Sequence, residues 1–305
     1  PYNKKEETIP SCNEKDNLGF YLYSPIQKPK AVLHIVHGMC EYIERYEKTI
    51  ETLAQGDILV CGSDHLGHGK HAPKRGYFGK GGSYSQLVED VAATIKKVKQ
   101  WYPNLPYFIL GHSMGSLVVR QLMSGSLEGI SGIILMGTAG PNWKTPFGLR
   151  AVRSEEKKRG EDYVSEKLYK MIFGGYNRKW LYKRTDSDWL SRDGNAVNRY
   201  LQDEYCNFHF TVQGYRELLL LQKEVNQKKW YQSVPKDIPI LLLSGSMDPV
   251  GAYGKGVQKV YQKLKDAGVS QIQMKLYDGA RHELLHETNR QEVQEDMMEW
   301  ILAHI

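Results

Sequence analysis

The stretch Tyr107-Phe108-Ile109-Leu110-Gly111-His112-Ser113-Met114-Gly115 decides the fold of this 305-residue chain. Its first four residues are typical of a buried strand, and a helical pattern at residues 116–123 follows directly. A serine hydroxyl becomes a nucleophile when a base takes its proton and the backbone presents it unshielded. A Gly-x-Ser-x-Gly turn does the presenting, because a Cβ at either glycine would clash with the neighbouring strand or helix. The sequence therefore predicts a nucleophile elbow with Ser113 at its tip.

Apolar runs alternate with helical patterns along most of the chain. An antiparallel pair at residues 6–10 and 19–23 comes first, and the strands after it are expected to be buried on both faces. This alternation predicts an α/β fold, a parallel sheet covered by helices. The predicted strands are 31–36, 58–61, 107–110, 130–136, 238–243 and 272–276. The predicted helices are 45–54, 84–101, 113–123, 253–267 and 291–303.

The alternation stops between residues 141 and 232, where charged helical segments take over. This segment holds 18 Lys and Arg against 12 Asp and Glu, which accounts for the entire net charge of +6, and 16 of the 33 aromatic residues. We interpret residues 1–140 and 233–305 as the core, and residues 141–232 as an inserted helical cap, apolar inside and basic outside. The alternative is that the aromatic residues only form the insertion's own core.

Composition argues against several other classes of protein. No apolar run approaches the roughly 20 residues of a membrane helix, and the first ten residues are polar, unlike a signal peptide. Lys and Arg alternate with acidic residues, so we expect no nucleic-acid partner. The cysteines lack metal-type or disulfide spacing, which favours a reducing compartment such as the cytoplasm; they are Cys12, Cys40, Cys61 and Cys206.

A candidate acid and a candidate base follow Ser113 in the order expected of a hydrolase. Asp248 comes after the apolar run at 240–243 and can orient a histidine, although a simple turn aspartate is the alternative. His282 comes after the last predicted strand and is the expected general base. We prefer it to His286, which lies farther from the strand end. We prefer Asp248 to Asp278, which shares a short loop with the base.

Two backbone N–H groups are needed to hold the negative charge that develops on an attacked carbonyl. We expect one from Met114, directly after the nucleophile, and the other from Met39, in the loop after the strand at 31–36. For Gly38 an ordinary strand-end turn is the alternative. Gly38, Cys40 and His112 are the other residues expected beside the site.

Six motifs occur in order from about residue 20 onward: His37-Gly38-Met39-Cys40-Glu41 with Arg45-Tyr46, Asp64-His65-Leu66-Gly67-His68-Gly69, Gly111 to Gly115, Thr-Asp-Ser-Asp-Trp-Leu-Ser-Arg-Asp at 185–193, Gly245 to Asp248, and Arg281-His282-Glu283. This set resembles the monoacylglycerol lipase and lysophospholipase-like family of α/β-hydrolases. The resemblance implies the α/β-hydrolase fold and serine esterase chemistry on single-chain acyl esters, without a cofactor, beneath a mobile cap.

The chain departs from the family pattern at two positions. The family usually has glycine at position 40 and often histidine at position 42. If position 40 needs a positive φ angle, Cys40 is expected to shift the oxyanion loop or narrow the acyl pocket.

Other functions stay open at this stage. The Tyr and Trp residues of the cap suit an esterase of small aromatic acids, such as feruloyl esters. An aminopeptidase would need an acidic cap site, against which the positive charge of the cap argues, and a non-catalytic binding protein is the last alternative. The basic cap also suits fatty-acid carboxylates, lysophospholipid phosphates or contact with an anionic membrane surface, although a merely solvated basic face is the simpler reading.

Three histidines in seven residues invite a metal interpretation, because His65, His68 and His71 have ligand-type side chains. Their match to the Asp-x-x-Gly-His-Gly loop of the family favours a structural loop beside the site instead. We therefore expect no metal ion.

Overall fold

The computed structural model describes residues 2–125 and 127–305. Pro1 and Ser126, which belong to the predicted core segment 1–140, lie outside the described residues. Within the described part, eight strands form one sheet. They are β1 (Tyr2–Pro10), β2 (Asn17–Pro25), β3 (Ala31–Val36), β4 (Ile58–Ser63), β5 (Tyr107–His112), β6 (Gly132–Met136), β7 (Ile240–Gly245) and β8 (Ile272–Tyr277).

The sheet is mostly parallel, as predicted, in the order β1-β2-β4-β3-β5-β6-β7-β8. β1 pairs antiparallel with β2, and β2 pairs antiparallel with β4, whereas the remaining neighbours pair in parallel. Every residue of β3 to β7 is buried. The prediction of burial on both faces is wrong for β8, where Tyr277 alone is fully buried. β8 is an edge strand, and its polar residues Gln273 and Lys275 alternate with apolar ones, so one side of the strand stays partly exposed.

Five helices cover the two faces of the sheet and confirm the predicted helices to within about three residues. α2 (Tyr84–Trp101), α3 (Met114–Leu122) and α9 (Lys255–Asp266) contribute to one hydrophobic core. α1 (Glu47–Gln55) and α10 (Arg290–Leu302) contribute to the core on the other face. None of the helices in the described part of the chain is long and apolar enough to cross a membrane.

The chain between β6 and β7 is helical. Its helix α7 (Val212–Glu224) packs against α2, α3 and α4 (Thr145–Arg159), so this segment rests on the helical layer beside Ser113. The helices of the segment are α4 (Thr145–Arg159), α5 (Glu166–Phe173), α6 (Gly194–Gln202), α7 (Val212–Glu224) and α8 (Lys228–Ser233).

Candidate active site

Ser113 lies at the sharp turn between β5 and α3, with φ 51° and ψ −119°. A non-glycine residue in such a backbone conformation costs about 1–3 kcal/mol, which the surrounding structure must offset. A Cβ on Gly115 would overlap the carbonyl oxygen of Val36, and one on Gly111 would lie 2.8 Å from the Ser116 Cα. The predicted reason for the flanking glycines is therefore confirmed.

The structure brings Ser113, His282 and Asp248 together. His282 follows β8 and Asp248 follows β7, so both reach the carboxyl edge of the sheet where Ser113 lies. The Ser113 Oγ lies 2.8 Å from His282 Nε2, and His282 Nδ1 lies 2.9 Å from Asp248 Oδ2. Both His282 and Asp248 are buried. This geometry allows a serine-to-histidine proton transfer backed by a carboxylate.

The two rival residues lie elsewhere. The Asp278 side chain is exposed and accepts a hydrogen bond from Ser246 at 3.3 Å. His286 is in a short 3₁₀ turn at 284–286, and its ring packs 6.0 Å from that of Tyr46. Neither side chain forms the hydrogen bond to Ser113 or to His282 that the rival assignments require, among the contacts of the described residues.

The expected oxyanion donors lie on two elements that meet at Ser113. Gly38 N donates to Glu41 Oε1 at 2.6 Å, and Cys40 N donates to His68 Nε2 at 3.1 Å. Between them, the N–H of Met39 has no protein acceptor within residues 2–125 and 127–305, and the same holds for Met114 at the start of α3. Both methionines line the cavity above Ser113. These N–H groups are thus available to a bound oxyanion.

Cys40 has φ 57°, so position 40 does adopt the left-handed conformation that favours glycine. Such a conformation costs about 1–2 kcal/mol for a residue with a Cβ. The side chain is buried, and its thiol donates to the carbonyl oxygen of Phe208 at 3.0 Å. Cys40 also lines the cavity.

A buried carboxylate, Glu41, organises the residues behind the nucleophile. Besides Gly38 N, it accepts hydrogen bonds from His112 Nδ1 at 2.7 Å and Tyr46 Oη at 2.9 Å. Arg45 lies between Glu41, at 3.1 Å, and Glu283, which it binds through two nitrogens at 2.8 and 3.1 Å. Removing one partner of a buried pair of this kind costs about 3–5 kcal/mol, because the other charge stays buried alone.

Glu41, His112 and Arg45 shift one another's pKa values through their charges. Burial alone raises the pKa of a carboxyl, but the positive charges of His112 and Arg45 outweigh it and hold the pKa of Glu41 well below its usual value. Burial lowers the pKa of His112, yet Glu41 outweighs burial and raises it. His112 Nε2 also lies 3.4 Å from the carbonyl oxygen of His282. These hydrogen bonds therefore link the loop that carries Met39 to the loop that carries His282.

Residue-level reasoning from the sequence did not assign roles to Glu41, Arg45 and Glu283, which appeared there only as parts of motifs. The available signal was that these three charged residues lie inside motifs that are otherwise apolar or rich in glycine, which indicates a buried ion-pair group. Trp189 was missed in the same way, although it lies in the motif at 185–193. Its ring is 5.1 Å from the ring of His282, and its carbonyl oxygen accepts from His282 N at 3.4 Å.

A cavity of about 1060 Å³ opens above Ser113. Some aromatic residues of segment 141–232 line this cavity, and others are buried in the core. Those that line the cavity include Tyr169, Phe173, Tyr176, Trp189, Tyr200 and Phe208. Those buried in the core are Phe210, Tyr215, Trp230 and Tyr231.

The ring nitrogens of His65 and His68 already take part in hydrogen bonds. His65 Nε2 bonds the carbonyl oxygen of His37 at 2.9 Å, and His68 bonds Cys40 N and the carbonyl oxygen of Leu66. Burial lowers the pKa of His65 to about 4 and that of His68 to about 3, so both are neutral. Among the described residues, no group of three or more His, Cys, Asp or Glu is arranged to hold a metal ion.

A sequence model of one protein family, described as serine aminopeptidase, S33, matches residues 27–289 of the chain. The match covers well over half of the sequence, including all three residues of the hydrogen-bonded set. The chain belongs to this family. It is an α/β-hydrolase of the monoacylglycerol lipase-like group, as the sequence motifs predicted, and an enzyme of the serine hydrolase class.

Relatives of this S33-family hydrolase carry lipase and esterase names. It is 27% identical over 297 residues to the monoglyceride lipase homolog of Monkeypox virus, covering 96% of each chain. It is 27% identical over 290 residues to the monoglyceride lipase of Rattus norvegicus, covering 93% of this chain and 86% of that one. A thermostable carboxyl esterase from Bacillus coagulans, solved in complex with glycerol, superposes with a TM-score of 0.92 at 31% identity, covering 99% and 98% of the two chains.

Proposed function

We propose that this protein hydrolyses single-chain acyl esters, of the monoacylglycerol or lysophospholipid type, through an acyl-enzyme on Ser113. The observation that carries the proposal is the hydrogen-bonded set of Ser113, His282 and Asp248, of which Ser113 and His282 line a cavity of about 1060 Å³. Small-molecule sites span about 300–1,000 Å³, so this cavity is large enough for a long acyl chain. The lipase and esterase names of the relatives support the same substrate class.

In the proposed mechanism, Ser113 Oγ attacks the ester carbonyl carbon while its proton passes to His282 Nε2. Asp248 accepts the Nδ1–H of His282, which leaves Nε2 free to take the proton and then stabilises the imidazolium. The N–H groups of Met39 and Met114 bind the oxyanion. His282 next protonates the departing alcohol, and water cleaves the acyl-enzyme by the same route to release the carboxylic acid.

We also propose that residues 141–232 form a cap domain over this site. The segment supplies Phe173, Trp189 and Phe208 to the cavity wall, and its helices rest on the core through α7. Trp189 stacks on Phe173, with ring centroids 6.1 Å apart, beside His282. This aromatic group also favours the alternative substrate class, esters of small aromatic acids, because a substrate ring can stack there.

Charges around the cavity favour neutral or anionic substrates over cationic ones. Within the described residues that line it, the carboxylates are Glu41 and Glu283, and both are paired with Arg45. An aminopeptidase would need a carboxylate free to bind the substrate's ammonium group. The lining cations suit a carboxylate product or a lysophospholipid phosphate; they are Lys144, Lys170, Arg178 and Lys259.

A substrate panel tests the proposed class. We expect kcat/KM for long-chain monoacylglycerols or lysophospholipids to exceed that for feruloyl esters and aminoacyl amides by at least about tenfold, since each tenfold needs only about 1.4 kcal/mol of extra transition-state binding in the apolar cavity. Initial rates with each substrate, at matched concentrations well below KM, give this ratio. Feruloyl esters faster than every acylglycerol and lysophospholipid would instead select the aromatic-acid alternative.

The cap also presents apolar side chains to the outside, and we propose that it contacts lipid aggregates there. Trp143 is 75% exposed and Phe147 57%, and Lys144 lies between them in the chain. Exposed aromatic side chains beside cations suit an anionic lipid surface.

Vesicle binding tests this proposal. In cosedimentation with phosphatidylglycerol vesicles, replacing Trp143 and Phe147 by Ser should weaken binding about tenfold or more. The matched control is Leu302→Ser on α10, which is also exposed; equal binding by both variants would contradict the proposal.

A further inference from the structure

The loop that carries Met39 is fastened to the cap by the two residues on either side of Glu41. We name residues 37–42 the oxyanion loop and residues 203–208 the cap loop. The Cys40 thiol donates to the carbonyl oxygen of Phe208 at 3.0 Å. Tyr42 Oη donates to Asp203 Oδ2 at 2.7 Å. Two side chains of the oxyanion loop thus hold opposite ends of the cap loop.

The cap loop is held together by its own bonds. Asp203 Oδ1 accepts from Tyr205 N at 2.9 Å, and the Asp203 carbonyl oxygen accepts from Cys206 N at 3.1 Å. The ring of Tyr205 packs edge-on against that of Tyr42, with centroids 5.5 Å apart. Because the two hydrogen bonds of Asp203 are internal to the cap loop, we expect this loop to move as a unit. Its movement would then strain both the Cys40 and the Tyr42 hydrogen bonds.

The oxyanion loop is also anchored to the core. Gly38 N is held by Glu41, and Cys40 N is held by His68, whose ring packs 5.6 Å from that of Phe208. The peptide of Met39 lies between these anchors. Cys40 has a positive φ angle, so its side-chain tie must help to keep a backbone conformation that a residue with a Cβ seldom adopts. The direction of the Met39 N–H therefore depends on contacts from both the core and the cap loop.

We propose that Cys40 and Tyr42 are positioning residues that orient the Met39 N–H for oxyanion binding only while the cap loop is seated on the oxyanion loop. The inference rests on the proposed ester hydrolysis with Met39 as oxyanion donor. Phe208 also lines the cavity, so an acyl chain that packs against its ring stabilises the seated cap loop. Substrate binding and oxyanion binding are coupled through this contact.

The test compares ligands that use the oxyanion hole with ligands that do not. A long-chain trifluoromethyl ketone accepts the Ser113 oxygen at its carbonyl carbon, the serine proton passes to His282, and the ketone oxygen becomes an oxyanion in the hole. A 1-O-alkylglycerol ether of the same chain length has no carbonyl and reports only ground-state binding. We expect Tyr42→Phe to lower kcat and to raise the inhibition constant of the ketone by the same factor, between about twofold and tenfold for one lost hydrogen bond. The Kd of the ether, whose chain can contact Phe208 but which has no oxyanion, should rise by a smaller factor.

Tyr205→Phe is the matched control, because it removes a hydroxyl from the neighbouring ring and leaves the tie to Asp203 intact. Cys40→Ala should reproduce the Tyr42→Phe pattern; if it does not fold, as judged by thermal unfolding, Tyr42→Phe alone decides. The inference is overturned if Tyr42→Phe behaves like Tyr205→Phe, or if ether and ketone weaken by the same factor. A wild-type protein that neither cleaves acyl esters nor binds the ketone would instead overturn the proposed function, and the inference with it.

Discussion

Ser113→Ala is expected to abolish ester hydrolysis, with a fall in kcat on the order of 10⁶-fold, as for other serine hydrolases that lose the nucleophile. The reason is that His282 and Asp248 act only through the Ser113 oxygen, and alanine leaves them with nothing to activate. The measurement is the steady-state rate with a p-nitrophenyl ester of medium chain length. A small residual rate from the oxyanion donors and from binding is compatible with this prediction.

Labelling by a fluorophosphonate probe provides the second readout for this variant. The wild-type protein should be labelled on Ser113 and the variant should not be labelled. Alanine should leave the thermal midpoint unchanged or raise it, since the strained elbow needs no hydroxyl for packing. Activity of the variant close to that of the wild type would show that Ser113 is not the nucleophile.

Asp248→Asn is expected to lower kcat by about 10⁴-fold, which is the size of the effect in other serine hydrolase triads. The amide of asparagine can donate to His282 Nδ1, which favours the tautomer that carries its hydrogen on Nε2. That tautomer cannot accept the Ser113 proton. KM should change little, because Asp248 is fully buried behind His282 and does not line the cavity.

Asp278→Asn is the matched control for this prediction, since Asp278 is the rival acid in the neighbouring loop and is exposed. Its kcat should equal that of the wild type. A severe loss in Asp278→Asn together with a mild one in Asp248→Asn would reverse the two assignments. Equal and severe losses in both variants would indicate a general disturbance of the loops after β7 and β8.

Most of the sheet and its covering helices were predictable from sequence because their signals are local. The mostly apolar run of β3 and the amphipathic pattern of α2 each predict an element from local sequence, and both predicted ranges agree with the structure. β8 was the exception. Its position at the edge depends on strand order, although the alternation of Gln273 and Lys275 with apolar residues was a local signal of a half-buried strand.

Part of the candidate site was likewise predictable from local sequence, and part depended on tertiary contacts. Ser113, Asp248 and His282 each follow a predicted strand, and parallel strands bring their carboxyl ends to one edge, so their proximity could be predicted. The hydrogen bonds around Glu41 could not be predicted, because they depend on residues that meet only after the strands have paired. His112, which bonds Glu41, lies 71 residues away along the chain, and Glu283, which bonds Arg45 beside it, lies 242 residues away.

The sequence by itself determined the α/β architecture and predicted the proposed nucleophile and the order of the proposed acid and base. Each depends on a short pattern with one dominant physical cause. Only the tertiary structure decided how Cys40 contacts segment 141–232. The sequence allowed for a positive φ angle at position 40, which the structure has. It gave no indication of the hydrogen bond from the Cys40 thiol to the carbonyl oxygen of Phe208, which lies 168 residues further along the chain. Contacts of that range depend on how the insertion packs on the core, and side-chain chemistry alone does not specify which partners meet there.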